Sequence, residues 1–183
     1  MRRIKSVTWP GLALLALLAV SGTSSSQTTT QGGGQGGGGA ASAKTFKDWV
    51  HTCEKIEGFG QEQCYIFQNI ALKKTGKRLL HFAVGYVGEG DAKRPAAVIT
   101  LPLGVLLPPG LALRIDEGEP IRFVYQQCMP DGCRGVLPLE PATISSLKAG
   151  KQARITFYDQ TQRELGVPVS LIGFTAGFGA LKP

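Results

Sequence analysis

The stretch CYIFQNIALKKTGKRLLHFAVGYV, residues 64–87, decides the fold class. Cys64 to Leu72 is apolar on both faces, Thr75-Gly76-Lys77 supplies a turn, and Leu79 to Val87 is a second apolar run. Two such runs around a short glycine-bearing turn predict a β-hairpin. Working outward, strand-like runs recur at Ala96 to Leu101, Leu111 to Ile115, Ile121 to Gln126, Ala153 to Tyr158 and Val167 to Phe174, mostly separated by Gly and Pro. In two of them a period of two marks a strand with one buried face. Ile121, Phe123 and Tyr125 alternate with Arg122, Val124 and Gln126, and Ile155 and Phe157 alternate with Arg154, Thr156 and Tyr158. One good helical candidate is present, Pro141 to Ala149, with Thr143 or a neighbour as cap and Gly150 as stop. Many short strands with one short helix predict an all-β, mainly antiparallel domain, a single β-sandwich or barrel-like unit.

Before this domain the composition changes twice. Arg2, Arg3 and Lys5 precede an apolar run from Gly11 to Val20 and then small polar residues from Ser21. That run is shorter than the roughly 20 residues a bilayer requires, so residues 1–22 read as a signal peptide cleaved near Ala19 to Gly22, leaving no transmembrane span. No cysteine follows the run to accept a lipid, and the Arg pair lacks the residues around it that twin-arginine export reads. Residues 23–43 are Gly, Ser, Thr and Gln-rich and read as a flexible linker. Residues 44–183 remain, enough for one domain with a sizeable core. The chain carries 20 basic and 13 acidic residues; without Arg2, Arg3 and Lys5 the balance is 17 against 13, a net +4 that by itself argues neither for nor against nucleic acid.

The four cysteines form two local pairs, Cys53 with Cys64 and Cys128 with Cys133. Behind an export signal they read as two local disulfides that staple the domain. Gly58 and Gly60 let the first loop fold back, and Pro130-Asp131-Gly132 turns the second. On the chain-entropy model each bridge is worth about 2 to 3 kcal/mol. Neither spacing is the Cys-x-x-Cys of a redox centre, and a four-thiolate zinc site requires reduced sulfur in an oxidising compartment, so no metal is expected.

Several of these segments in order resemble the invasion-associated locus B family. They are the Trp49 to Cys53 opening, the Cys64 strand, Leu101-Pro102-Leu103-Gly104-Val105-Leu106-Leu107-Pro108-Pro109-Gly110, Asp116, Phe123 to Cys128, Gly132-Cys133, the helix end at Leu147 to Gly150, and Gly177-Phe178-Gly179-Ala180-Leu181. The resemblance covers nearly all of Lys44 to Leu181 and implies an exported bacterial protein, periplasmic or surface-associated, mostly β, with members linked to host-cell invasion. It brings no catalytic residues to carry over. The Gly-rich linker is the main departure from plainer members.

For function, the basic hairpin tip is the most informative patch. Lys73, Lys74, Lys77 and Arg78 put four positive charges within six positions. Their field favours anionic partners such as lipopolysaccharide phosphates, an acidic membrane face or acidic glycans. The ordinary alternative is a solvated turn that blocks edge-to-edge strand pairing. No aromatic residues interleave at the tip, which disfavours a single-strand nucleic-acid groove. Leu103, Val105, Leu106 and Leu107 are expected to plug the core beneath a crossing loop, with an exposed docking strip as the alternative. Asp116, Glu117 and Glu119 around Gly118 read as a solvated hairpin tip and not a calcium loop. Gly173, Gly177 and Gly179 read as close packing at a chain end with no helix to follow.

Catalytic signatures are sparse. His51 and His81 both sit in strand-like segments as packed or half-exposed side chains, and no nucleophile elbow, His-Glu-x-x-His or phosphate-loop lysine is present. The expectation is a non-enzymatic, cofactor-free module, periplasmic, outer-surface or secreted, that binds an envelope or host-surface protein or an anionic lipid or glycan. Two alternatives stand beside it: an envelope-maintenance factor assisting outer-membrane proteins, and a hydrolase of envelope polymers with His51 or His81 joined to a Ser, Asp or Glu in a cleft.

Overall fold

A computed structural model describes residues 43–55, 62–88 and 90–182. The signal-peptide and linker readings fall on residues outside these. Eleven strands and two helices follow one another as β1 (Lys44–Phe46), β2 (Trp49–Lys55), β3 (Glu62–Ala71), β4 (Arg78–Val87), β5 (Arg94–Leu101), β6 (Leu111–Ile115), β7 (Ile121–Phe123), β8 (Tyr125–Met129), β9 (Gly132–Pro138), α1 (Pro141–Ala149), β10 (Gln152–Tyr158), β11 (Glu164–Ser170) and α2 (Phe174–Gly179), with a 3-10 turn at Gly90–Ala92. A seven-stranded sheet runs β1-β2-β3-β4-β5-β9-β8 and a four-stranded sheet runs β11-β10-β6-β7. The recorded strand pairs are all antiparallel.

The expected hairpin is β3–β4, closed by Leu72 N–H donating to Lys77 O at 2.9 Å and Gly76 N–H to Leu72 O at 2.8 Å. Its period of two puts Leu80, Phe82 and Val84 into the core. Each such side chain contributes about 1.5 to 3 kcal/mol on burial. Ala153, Ile155 and Phe157 of β10 do the same from the smaller sheet, so inner faces of both sheets share one apolar cluster, the mark of a sandwich. Trp49 is wholly buried among Phe82 and Phe174, and its Nε1–H and the Gln68 Nε2–H both donate to Ser170 O, tying β2 and β3 of the large sheet to the end of β11.

Cys53 and Cys64 are directly opposed across β2–β3, and Cys128 and Cys133 across β8–β9, with Cα atoms 4.0 and 3.9 Å apart and both disulfides formed. Directly opposed side chains are the ones an antiparallel ladder brings close enough to bridge.

Four expectations need correction. Among the described residues there are two helices, not one: Gly173 caps α2, which carries Gly177 and Gly179, so that glycine series does form a helix. Phe174 and Phe178 drive it, because both bury against the core and stack on each other at 5.6 Å. Helix α1 has the expected bounds, but its N-cap is Glu140 without a side-chain bond and its start is set by Pro141, not Thr143. The run Ile121 to Gln126 keeps its alternation yet is not one strand. The chain leaves the small sheet at Phe123, exposes Val124 and enters the large sheet at Tyr125. Finally, residues 102–109 plug the core only in part. Val105 pairs with Asp159 and packs against the core, and Leu106 N–H donates to Tyr158 O, whereas Leu103 is 59% and Leu107 45% exposed. Gly104 at φ 96° and the Leu107–Gly110 turn break the alternation that would have buried them.

Candidate functional site

The apolar character of residues 64–72 on both faces has a structural consequence. Side chains of the large sheet that turn away from the core line up across strands through the register Val50–Phe67–Ala83–Val98–Val136. Directly paired residues share a face, so these five form one apolar row over β2, β3, β4, β5 and β9. All but Ala83 are half-buried. The next row is polar: Asn69, His81, Thr100, Arg134 and Gln127. Beyond it, Ala71 pairs with Arg78 and the chain turns through Lys73, Lys74 and Lys77. An apolar row thus grades through a polar one into the basic tip.

The predicted tip residues are brought together as expected. Lys73, Lys74, Lys77 and Arg78 are all exposed on one turn, Gly76 takes φ 68° at its apex, and Lys77 N–H donates to Thr75 Oγ1 at 3.3 Å. Among the described residues the ion pairs are Arg134–Asp131 and Arg163–Asp159, so none of the four tip cations is neutralised by a contacting carboxylate.

His81 belongs to this face. Its Nδ1 lies 2.8 Å from Asn69 Oδ1 and its ring 5.3 Å from that of Phe67. Burial pushes its pKa below the ordinary 6.5, the Arg78 and Arg134 charges push the same way, and Glu54 opposes them. The Tyr65 hydroxyl donates to Glu54, and burial with that carboxylate raises the phenol's pKa. His51 lies elsewhere, on the inward side of β2 near the first disulfide. One of its ring nitrogens and the sulfurs of Cys53 and Cys64 fall within 4.8 Å of one another, but the sulfurs are bonded to each other and only the imidazole could bind a metal. The two histidines do not converge.

The acidic turn holds a residue whose role the sequence did not reveal. Asp116, at φ 45°, accepts the backbone N–H of Gln152 at 2.9 Å and of Lys151 at 3.1 Å, tying the β6–β7 turn to the start of β10. Glu117 and Glu119 are exposed, as expected. The Tyr125 hydroxyl, beside the chain's crossing between sheets, is buried with no protein partner among the described residues, and burial pushes its pKa up to about 12.

No helix of the described residues is long and apolar enough to cross a membrane. Comparison with known proteins adds the lineage. A protein named invasion protein B homolog from Brucella abortus (strain 2308) is 26% identical over 75% of this chain and 75% of its own. Invasion protein B of Bartonella bacilliformis is 26% identical over 53% of this chain and 50% of its own. The crystal structure of invasion associated protein b from Bartonella henselae superposes with a TM-score of 0.63 at 20% identity, covering 75% of this chain and 92% of that one, and so shares the fold. The family model described as invasion associated locus B (IalB) protein matches residues 49–182. With that match running from the first core tryptophan to the penultimate residue, the chain belongs to the invasion associated locus B family.

Proposed function

We propose that this member acts outside the cytosol as a non-enzymatic contact module, binding an envelope or host-surface partner through the outward face of its seven-stranded sheet and the Lys73–Arg78 tip. The observation that carries this reading is a half-buried apolar row on the outward face of the large sheet, followed across one polar row by a cationic turn with no contacting carboxylate among the described residues. A solvent-facing sheet surface needs no such row for folding, and an apolar centre with a polar and charged surround suits a docking site. Both disulfides suit an oxidising compartment, and the leader in residues 1–22 supplies the route there. Kinship with invasion-associated proteins supports host association as the biological setting. The engagement of His81 by Asn69 and Phe67 gives that imidazole a structural occupation and speaks for contact over hydrolysis.

Replacing Lys73, Lys74, Lys77 and Arg78 together by Gln tests the tip. The variant is expected to keep the wild-type thermal transition and to lose at least tenfold in retention on phosphatidylglycerol liposomes at low salt. Unchanged retention removes the tip from the binding surface.

A further inference from the structure

The smaller sheet carries a second charged surface that neither the basic tip nor the family kinship accounts for. Its outward side is read from the register: Arg114 is directly opposite Arg154, Ala112 lies between Arg122 and Thr156, and Gly166 is opposite Thr156. Arg114, Arg122 and Arg154, from three adjacent strands, therefore stand on one face. They surround a hollow of about 150 Å³ whose lining also includes Pro109, Tyr158 and Glu164. Ala112, the small residue between Arg122 and Thr156, leaves the floor of the hollow low, while Arg154 lies over Gly166 at its side.

Like charges directly opposed across a ladder repel, and side chains with no other purpose avoid the arrangement. Among the described residues no carboxylate lies within ion-pair distance of any of the three guanidiniums. Arg154 Nη1 makes one long hydrogen bond, to Gly166 O at 3.4 Å. Glu164, the carboxylate in the lining, accepts from the Tyr158 hydroxyl at 2.8 Å. That bond raises the Tyr158 pKa, and Arg122 is near enough to pull it the other way. The hollow thus holds three positive charges against one negative, a surplus of two, presented by planar forks suited to oxyanions.

We propose that this hollow is a binding site for a phosphomonoester group, with Arg114, Arg122 and Arg154 as its anion-binding residues and the Thr156 hydroxyl as a further donor. A phosphomonoester near neutral pH carries close to two negative charges and three acceptor oxygens, matching the surplus. A carboxylate would neutralise one guanidinium and leave the repulsion between the others. The site is separate from the Lys73–Arg78 tip in sequence and in sheet, so either can fail without the other.

The test is an NMR titration of the oxidised chain with inorganic phosphate and with glucose 1-phosphate in low-salt chloride buffer, followed by sedimentation with phosphatidic acid vesicles. Saturable shifts centred on the amides of Ala112, Arg114, Arg122, Arg154 and Thr156 are expected. Affinity should fall at least tenfold in Arg114→Gln/Arg154→Gln and stay unchanged in the four-Gln tip variant. Vesicle binding that also requires Arg114 and Arg154 would assign the phosphate to a lipid headgroup; soluble binding without it would assign a free phosphorylated compound. No saturable shift at these amides in the wild-type chain, or equal weakening in the two variants, overturns the site.

Discussion

His81 is where a single residue reports most on its surroundings. Its neutral form is favoured in the folded chain by burial and by the positive charges of Arg78 and Arg134, with Glu54 pulling the other way. The folded pKa therefore lies below the 6.5 of the unfolded chain. Stability attached to this group is fully present above 6.5 and falls as the pH drops from there toward the folded pKa, because over that window only the unfolded chain takes up the proton. Urea unfolding between pH 7.5 and 5 should show a decline in the wild type that flattens in His81→Phe; equal slopes would remove His81 as its source. The sequence placed this histidine in a strand three residues after Arg78 but could not show Arg134, which comes near it only through the register of β4 with β5 and of β5 with β9.

At the scale of elements, turn chemistry and alternation were legible and chain crossings were not. The Thr75-Gly76-Lys77 turn, the Pro130-Asp131-Gly132 turn and the bounds of α1 all follow from local residue preferences, and each is found. The switch of sheets at Val124 leaves no local trace, because alternation continues through it undisturbed. Helix α2 was hidden by its glycines, which lower helix propensity, while the burial of Phe174 and Phe178 that overrides them is a tertiary effect. Its entry is equally non-local. Gly173 at φ 93° caps the helix so close to β1 that an added Cβ would stand 2.0 Å from Phe46 O. Gly173→Ala is expected to lower stability by about 2 kcal/mol or more, from strain and the displaced strand together. Measured by urea unfolding, a loss under about 0.5 kcal/mol would show that β1 and α2 are not locked at this point.

For the whole molecule, the two sheets differ in their outer faces. Their inner faces share one core, and each outer face carries charge of its own, the tip and polar row on the larger and the arginine hollow on the smaller. The tip was legible because it is contiguous in sequence. The arginine hollow was not, because Arg114, Arg122 and Arg154 are spread over some forty residues and meet only through the pairing of three strands. The same limit hid the apolar row, whose five members come from five strands. Only the doubly apolar character of residues 64–72 announced that the outward face of β3 departs from the ordinary pattern of polar exposure.

The proposed contact surface is the outward face of the large sheet. A photo-crosslinking residue placed at Val98, in the middle of the apolar row, and separately at Ile172, an exposed apolar residue outside it, tests this in intact cells. A discrete covalent adduct is expected from Val98, weakened when the four tip cations are replaced by Gln, and none from Ile172. Absence of any adduct from Val98, or the same adducts from both positions, would contradict it.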